Sequence, residues 1–152
     1  MSGVLQVTKT GPRTYSPAPT KVVRGGRGVE YTANGRIQEW AAGTFRAAGV
    51  ALTDAIAPED AGASQVSIDG NGRPVLNTVI LPQSVAVAYG GDEVPMTYAA
   101  NANQGDLLIA AANGTVTPAG DTPDARTIVG RCTQPGGVVV ATNALGLVRL
   151  AI

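Results

Sequence analysis

The chain has 152 residues, with eleven Lys and Arg balanced by eleven Asp and Glu, no histidine, one cysteine, one Trp, four Tyr and one Phe. That length fits one domain; the lack of histidine excludes a Ser-His-Asp triad and a His-ligated metal, and a single cysteine excludes an internal disulfide and a Cys-rich zinc site. Ala, Val and Gly carry most of the apolar content, and small side chains bury little area each, at about 25 cal/mol per Å², so a lone monomer is expected to be modestly stable and an oligomer is the better expectation.

Residues 1–20 hold Gly3, Gly11, Pro12, Pro17 and Pro19 with only Leu5 and Val7 as candidate core contacts. Such a segment reads as an extended arm, or as a frayed terminus. As an arm it could order on a partner by adding a strand to a sheet edge, with 4–8 as that strand. The β domain then spans 21–152. Its first part alternates strands and turns: 21–24, the turn Gly25–Gly28, 29–33, the turn Asn34-Gly35, 36–41 and 47–53. Trp40, in the returning strand, reads as a core residue or as an anchor at a subunit contact.

Residues 54–74 differ in character. Pro58 followed by Glu59 and Asp60 predicts one short helical turn, since Pro suits the first helical position and acids suit the first turn. Residues 66–68 read as a short strand, and Asp69-Gly70-Asn71-Gly72 as a turn. Strands are expected at 75–81, 84–89 and 93–98, with Gly90-Gly91-Asp92 joining the last two as a hairpin.

From Asp106 the pattern of the first part returns. A run at 107–112 meets Asn113-Gly114, a second run covers 115–118, and a third covers 126–133. Asn-Gly is a strong hairpin signal because a type I′ turn needs positive φ at both central residues. Aligning Ala33-Asn34-Gly35 with Ala112-Asn113-Gly114 sets Val29 on Leu108 and Ile37 on Val116. With a one-residue slip, 49–53 matches 129–133. This reads as one β unit used twice with material inserted between. The two Asn-Gly turns then serve register, not chemistry. Further strands are expected at 138–141 and 145–150. Many short strands with Gly, Pro and Asn turns and no long helix predict an all-β, small single-domain sandwich or barrel with a duplicated hairpin unit.

Chemistry is sparse. Cys132 lies in a predicted strand and reads as a small buried hydrophobe. Glu59-Asp60 and Asp92-Glu93 are adjacent acids in turns, a solvated arrangement and not a pair facing across a cleft. No catalytic, metal or cofactor residue is expected. No apolar run approaches the roughly eighteen residues a membrane helix needs, and the first residues do not read as a signal peptide. The basic residues Lys9, Arg13, Lys21, Arg24, Arg27, Arg36 and Arg46 crowd the front of the chain, and acids dominate from residue 50 onward. Such asymmetry suits pairing within the chain, between subunits or with a charged partner surface. A direct nucleic-acid role is not expected, because Arg24–Arg27 is a single RGGR stretch with no aromatic run beside it.

Four stretches carry a family likeness: VVRGGRGV at 22–29, GVALTDA at 49–55, GDLLIAAANGTVTPAGDTPDARTIVGRCTQPG at 105–136 and GLVRLAI at 146–152. They resemble capsid decoration, or cement, proteins of tailed bacteriophages. The resemblance implies a virion protein, assembled in the host cytoplasm and held on the outer surface of the icosahedral head. It implies a homotrimer that bridges neighbouring major capsid protein subunits, with an N-terminal arm on the lattice. The residues expected to make those contacts are Val4, Leu5, Val7, Lys9, Arg13, Lys21, Arg24 and Arg27, with Trp40 at the subunit contact. The alternative is a head-fibre or tail-associated module that recognises a host surface ligand. That role needs exposed aromatics, for which Trp40 and Tyr89 are placed. An enzyme ranks last.

Overall fold

The computed structural model describes residues 11–61, 66–76 and 81–152. Ala-, Val- and Leu-rich runs between turn residues form two five-stranded antiparallel sheets. The first contains β1 (Arg13–Tyr15), β3 (Gly28–Tyr31), β4 (Ile37–Glu39), β5 (Ala47–Ala51) and β9 (Val85–Ala88), in the spatial order β1-β9-β5-β3-β4. The second contains β10 (Glu93–Thr97), β11 (Leu107–Ala110), β12 (Val116–Pro118), β13 (Ile128–Cys132) and β14 (Leu145–Leu150), in the order β10-β14-β13-β11-β12. Two small ribbons complete the described strands: β2 (Val22–Val23) with β6 (Ala55–Ile56), and β7 (Val66–Ile68) with β8 (Pro74–Leu76).

The two large sheets have one topology. In each, the strands taken in chain order occupy the same places, and the registers agree residue by residue. Val29 faces Gly49 as Leu108 faces Gly130, and a bulge follows at once in both pairings. Tyr31 faces Ile37 as Ala110 faces Val116. Arg13 faces Val87 as Val94 faces Val148. A parallel bridge joins Pro17 to Ile37 and, in the other copy, Tyr98 to Val116. Each bridge draws the first strand's continuation against the outermost strand, so each sheet curls toward a barrel and covers edges that would otherwise stand open. Backbone bonds repeat as well: Gly26 N donates to Ala51 O and Gly105 N to Cys132 O, both at 2.8 Å. A Cβ on Gly49 would strike the Ala88 carbonyl and the Val87 side chain, and one on Gly130 would strike their equivalents at Arg149 and Val148. Both glycines exist because a neighbouring strand passes too close for a side chain.

The repeated unit is therefore five strands, larger than the hairpin the sequence pattern suggests. The extra material lies inside the first copy and not between the copies. It occupies the connection from β5 to β9 (52–84), whose counterpart from β13 to β14 (133–144) is shorter. Ile56 N donates to Pro82 O at 2.9 Å and closes the base of this insertion. Pro58–Asp60 is the expected helical turn, with Pro at its start. Asp69 orders the expected turn beyond it, accepting from Asn71 N and Arg73 N, both at 2.9 Å.

Four local expectations need correction. Gly90-Gly91-Asp92 does not close a hairpin: β9 and β10 lie in different sheets, and the two glycines, at φ +67° and +90°, carry the chain across. Residues 138–141 form no strand; Val138 makes one antiparallel bridge to Ala102, and Val139 O then accepts from Thr142 N and Asn143 N in a turn. The Asn34-Gly35 loop is a three-residue connection, with Gly35 N donating to Thr32 O and only Gly35 at positive φ. Finally, the β domain begins before residue 21. Arg13–Tyr15 pairs with β9, and Ala18 is buried with its N–H donating to Ile37 O at 2.8 Å. The arm residues Val4, Leu5, Val7 and Lys9 lie outside the described residues.

Alternation decides burial. In β14, Gly146, Val148 and Leu150 point inward while Leu145 and Arg149 point outward, as a two-residue period requires. One core gathers Val23, Val29, Ile37, Ala48, Ala51, Val85 and Val87 inside the first sheet. The other gathers Met96, Tyr98, Leu108, Val116, Val129, Cys132 and Val148 inside the second, and also takes Trp40, Val50 and Ala88 from the first. The second core is thus completed by the first copy.

Candidate functional site

Trp40 sits where the copies meet. Its side chain is 1% exposed within the single chain. The indole Nε1 donates to Thr115 O at 2.9 Å, and Trp40 O accepts from Gly114 N at 3.1 Å. Its ring lies over Gly28, where any Cβ would overlap it. The expected subunit-contact role of Trp40 is therefore wrong: the side chain is consumed inside the chain, with no surface left to present. The Ala112–Gly114 turn that it meets has the left-handed geometry expected of Asn-Gly, with Asn113 at φ +56° and Gly114 at +70°. A Cβ on Gly114 would lie 2.8 Å from Gly28 O, so this turn is also an inter-copy contact.

The expected basic contact residues divide. Lys21 and Val22 line a groove of about 340 Å³ beside Trp40, with Glu30, Gln38, Glu39 and Asn113 on its other walls. Arg24 forks onto Glu39 at the same place, Nε to Oε1 at 2.9 Å and Nη2 to Oε2 at 3.0 Å. That hydrogen bond, and the Glu39 charge behind it, raise the Arg24 pKa above its ordinary value. Arg27 Nη1 reaches across the junction to Asn113 O at 3.2 Å. Arg24 and Arg27 thus already serve the chain's own fold, while Lys21 is exposed. Arg13 belongs to another part of the surface.

Arg13 lines a second groove, of about 200 Å³, with Tyr15, Tyr31, Ala47, Ala48, Tyr89 and Ile152. Strand alternation puts Arg13 and Tyr15 on one face of β1, and Tyr31 ends β3. The Tyr15 and Tyr31 rings meet edge to face at 5.6 Å, and their hydroxyls share a hydrogen bond at 2.9 Å. That bond, helped by partial burial, pushes the Tyr31 pKa up to about 12. Three of the four tyrosines therefore converge with one arginine. Sequence reasoning picked out Tyr89 and Arg13 but missed Tyr15 and Tyr31 as groove residues. The signal was present in the repeat itself, which aligns Tyr31 with Ala110. Elsewhere, burial raises the Tyr98 pKa, with Cys132 adding to the effect. Among the described residues no cluster of carboxylates and thiol could hold a metal ion.

No family model matches this chain, and no curated protein matches it. Solved structures do. The N base of head fibre gp8.5 of bacteriophage phi29 superposes with a TM-score of 0.57 at 16% identity, over 92% of this chain and 94% of that one. This likeness establishes a shared all-β fold along nearly the full length of both. The pre-mature gene product 12 of the same phage is also similar, with a TM-score of 0.49 and 16% identity, over 99% of this chain and 23% of that one.

Proposed function

We propose that this chain is a structural module of a phage virion, seated on the outside of the head as the base of a surface fibre. The observation that carries this reading is the end-to-end correspondence with the phi29 head-fibre base, which leaves little of either chain unmatched. The absence of histidine from the sequence fits a binding and assembly role without catalysis. The partner in this reading is the major capsid protein, and the module self-associates, as a trimer in the simplest case. Lys21, exposed beside the inter-copy groove, is its best-placed basic contact among the described residues.

The cement role is the second reading, supported by the sequence likeness to decoration proteins. The stretches carrying that likeness map onto the β2–β6 ribbon, parts of β3 and β5, and β11–β14 with their turns, so they include most of the second copy of the repeated unit. A shared framework serves a fibre base and a cement protein equally, so the two must be separated by what the protein does to the shell. The test mixes the purified chain with heads lacking it, from the phage whose genome encodes it. Co-sedimentation with heads and added density outside the shell are the expected results. An unchanged temperature of DNA release then marks a fibre base, and a raised one marks cement. Failure to bind heads at all overturns both.

A further inference from the structure

The duplication supplies an internal comparison for the tyrosine groove. Register assigns each of its polar lining residues a counterpart in the second copy. Arg13 corresponds to Val94 and Tyr15 to Met96, because Val87 and Val85 correspond to Val148 and Gly146. Tyr31 corresponds to Ala110. Tyr89 corresponds to Leu150, being one residue beyond Ala88 as Leu150 is one beyond Arg149. All four counterparts, Val94, Met96, Ala110 and Leu150, are buried in the second core. At this one end, the second copy is plugged with small and aliphatic groups, whereas the first is open and lined by three phenols and a guanidinium.

A fold that can close this end with aliphatic side chains does not need tyrosines and an arginine there for packing. We propose that the groove formed by Arg13, Tyr15, Tyr31 and Tyr89 is a binding site for a carboxylate-bearing saccharide. Tyrosine rings offer apolar faces to the C–H surface of a sugar ring, and their hydroxyls offer donors and acceptors to its hydroxyls. Arg13 is exposed, and no ion pair engages it among the described residues. A guanidinium so placed suits a carboxylate, which it can hold through two parallel hydrogen bonds. The groove volume of about 200 Å³ admits one sugar ring and leaves the rest of an oligosaccharide outside. The Tyr15–Tyr31 hydroxyl pair holds two of the rings in place before anything binds, which lowers the ordering cost of recognition. This proposal does not depend on how the module is attached to a virion.

The test titrates the full chain with oligogalacturonate and with sialyllactose, using maltotriose as the neutral control, and follows tyrosine ring signals by NMR. The expected result is movement of the Tyr15, Tyr31 and Tyr89 signals with both acidic probes and not with maltotriose. Arg13→Gln and Tyr89→Leu should each weaken binding by about tenfold or more. Arg13 is exposed, and Leu is the residue the second copy uses at the place of Tyr89, so both variants should remain folded, which circular dichroism checks. Undisturbed tyrosine signals with both acidic probes would overturn the proposal. So would unchanged affinity in Arg13→Gln, tighter binding of maltotriose than of the acids, or a groove that answers only to proline-rich peptides.

Discussion

The side chain of Trp40 lies at the centre of the junction between the two halves of this molecule. Its indole N–H is a second donor to the Thr115 carbonyl, which also accepts from Ala111 N, and its ring covers a glycine that nothing larger could replace. Trp40→Phe removes the donor and also part of the indole that covers Gly28. The Thr115 carbonyl would keep its bond from Ala111 N, so the lost hydrogen bond costs about 0.5–1.5 kcal/mol. For a chain of this length each kcal/mol lowers the melting temperature by about 2–4 °C, so loss of the bond alone should lower it by about 1–6 °C in thermal unfolding followed by circular dichroism. A fall of under a degree would mean that the bond adds nothing. That Trp40 is important was legible from its being the sole tryptophan. Its partner was not, because Thr115 lies in another strand pair and no local pattern links the two.

Local elements follow from local sequence, and their pairing does not. Nearly every expected strand exists, because β-branched and alanine-rich runs between Gly, Pro and Asn turns allow little else. The same dipeptide, Asn-Gly, nonetheless makes two different turns. At Asn113-Gly114 both residues take positive φ against the first copy, and at Asn34-Gly35 only the glycine does, in open solvent. The glycines after β9 could close a hairpin or cross between sheets, and the choice is made by β5 and β14, which lie far along the chain. Of the candidate site, Arg13 and Tyr89 were legible as single residues, and their meeting with Tyr15 and Tyr31 required the register. One ribbon stands apart. Among the described residues the β7–β8 hairpin pairs only with itself, leaves Ile68 and Val75 exposed, and has no counterpart in the second copy. A lone two-stranded hairpin contributes little to stability. Replacing 66–76 with a short Gly-Ser linker should therefore shift the melting temperature by less than about 3 °C. A larger drop, measured by the same thermal scan, would show that this ribbon supports the fold.

The whole molecule is one five-stranded unit used twice, with unequal results. Each copy has its own curled sheet, so two independent domains would be the simple expectation from topology alone. The packing argues otherwise. The second core takes Trp40, Val50 and Ala88 from the first copy. Hydrogen bonds cross the junction from Gly43 N to Ala110 O, from Thr97 N to Gly26 O and from Gly114 N to Trp40 O. A core built of Ala and Val has little apolar area to spare, at about 25 cal/mol per Å². Removing the indole from its centre would open a cavity whose cost alone is about 3–5 kcal/mol, comparable with the 5–15 kcal/mol that holds an ordinary domain together. The second copy should therefore not fold alone. Residues 91–152 expressed by themselves are expected to lack a cooperative unfolding transition. The full chain should unfold in one step, with calorimetric and van't Hoff enthalpies equal. Two separated transitions, or a well-folded isolated second copy, would show instead that the duplicated units are autonomous and that Trp40 merely touches a core already complete without it.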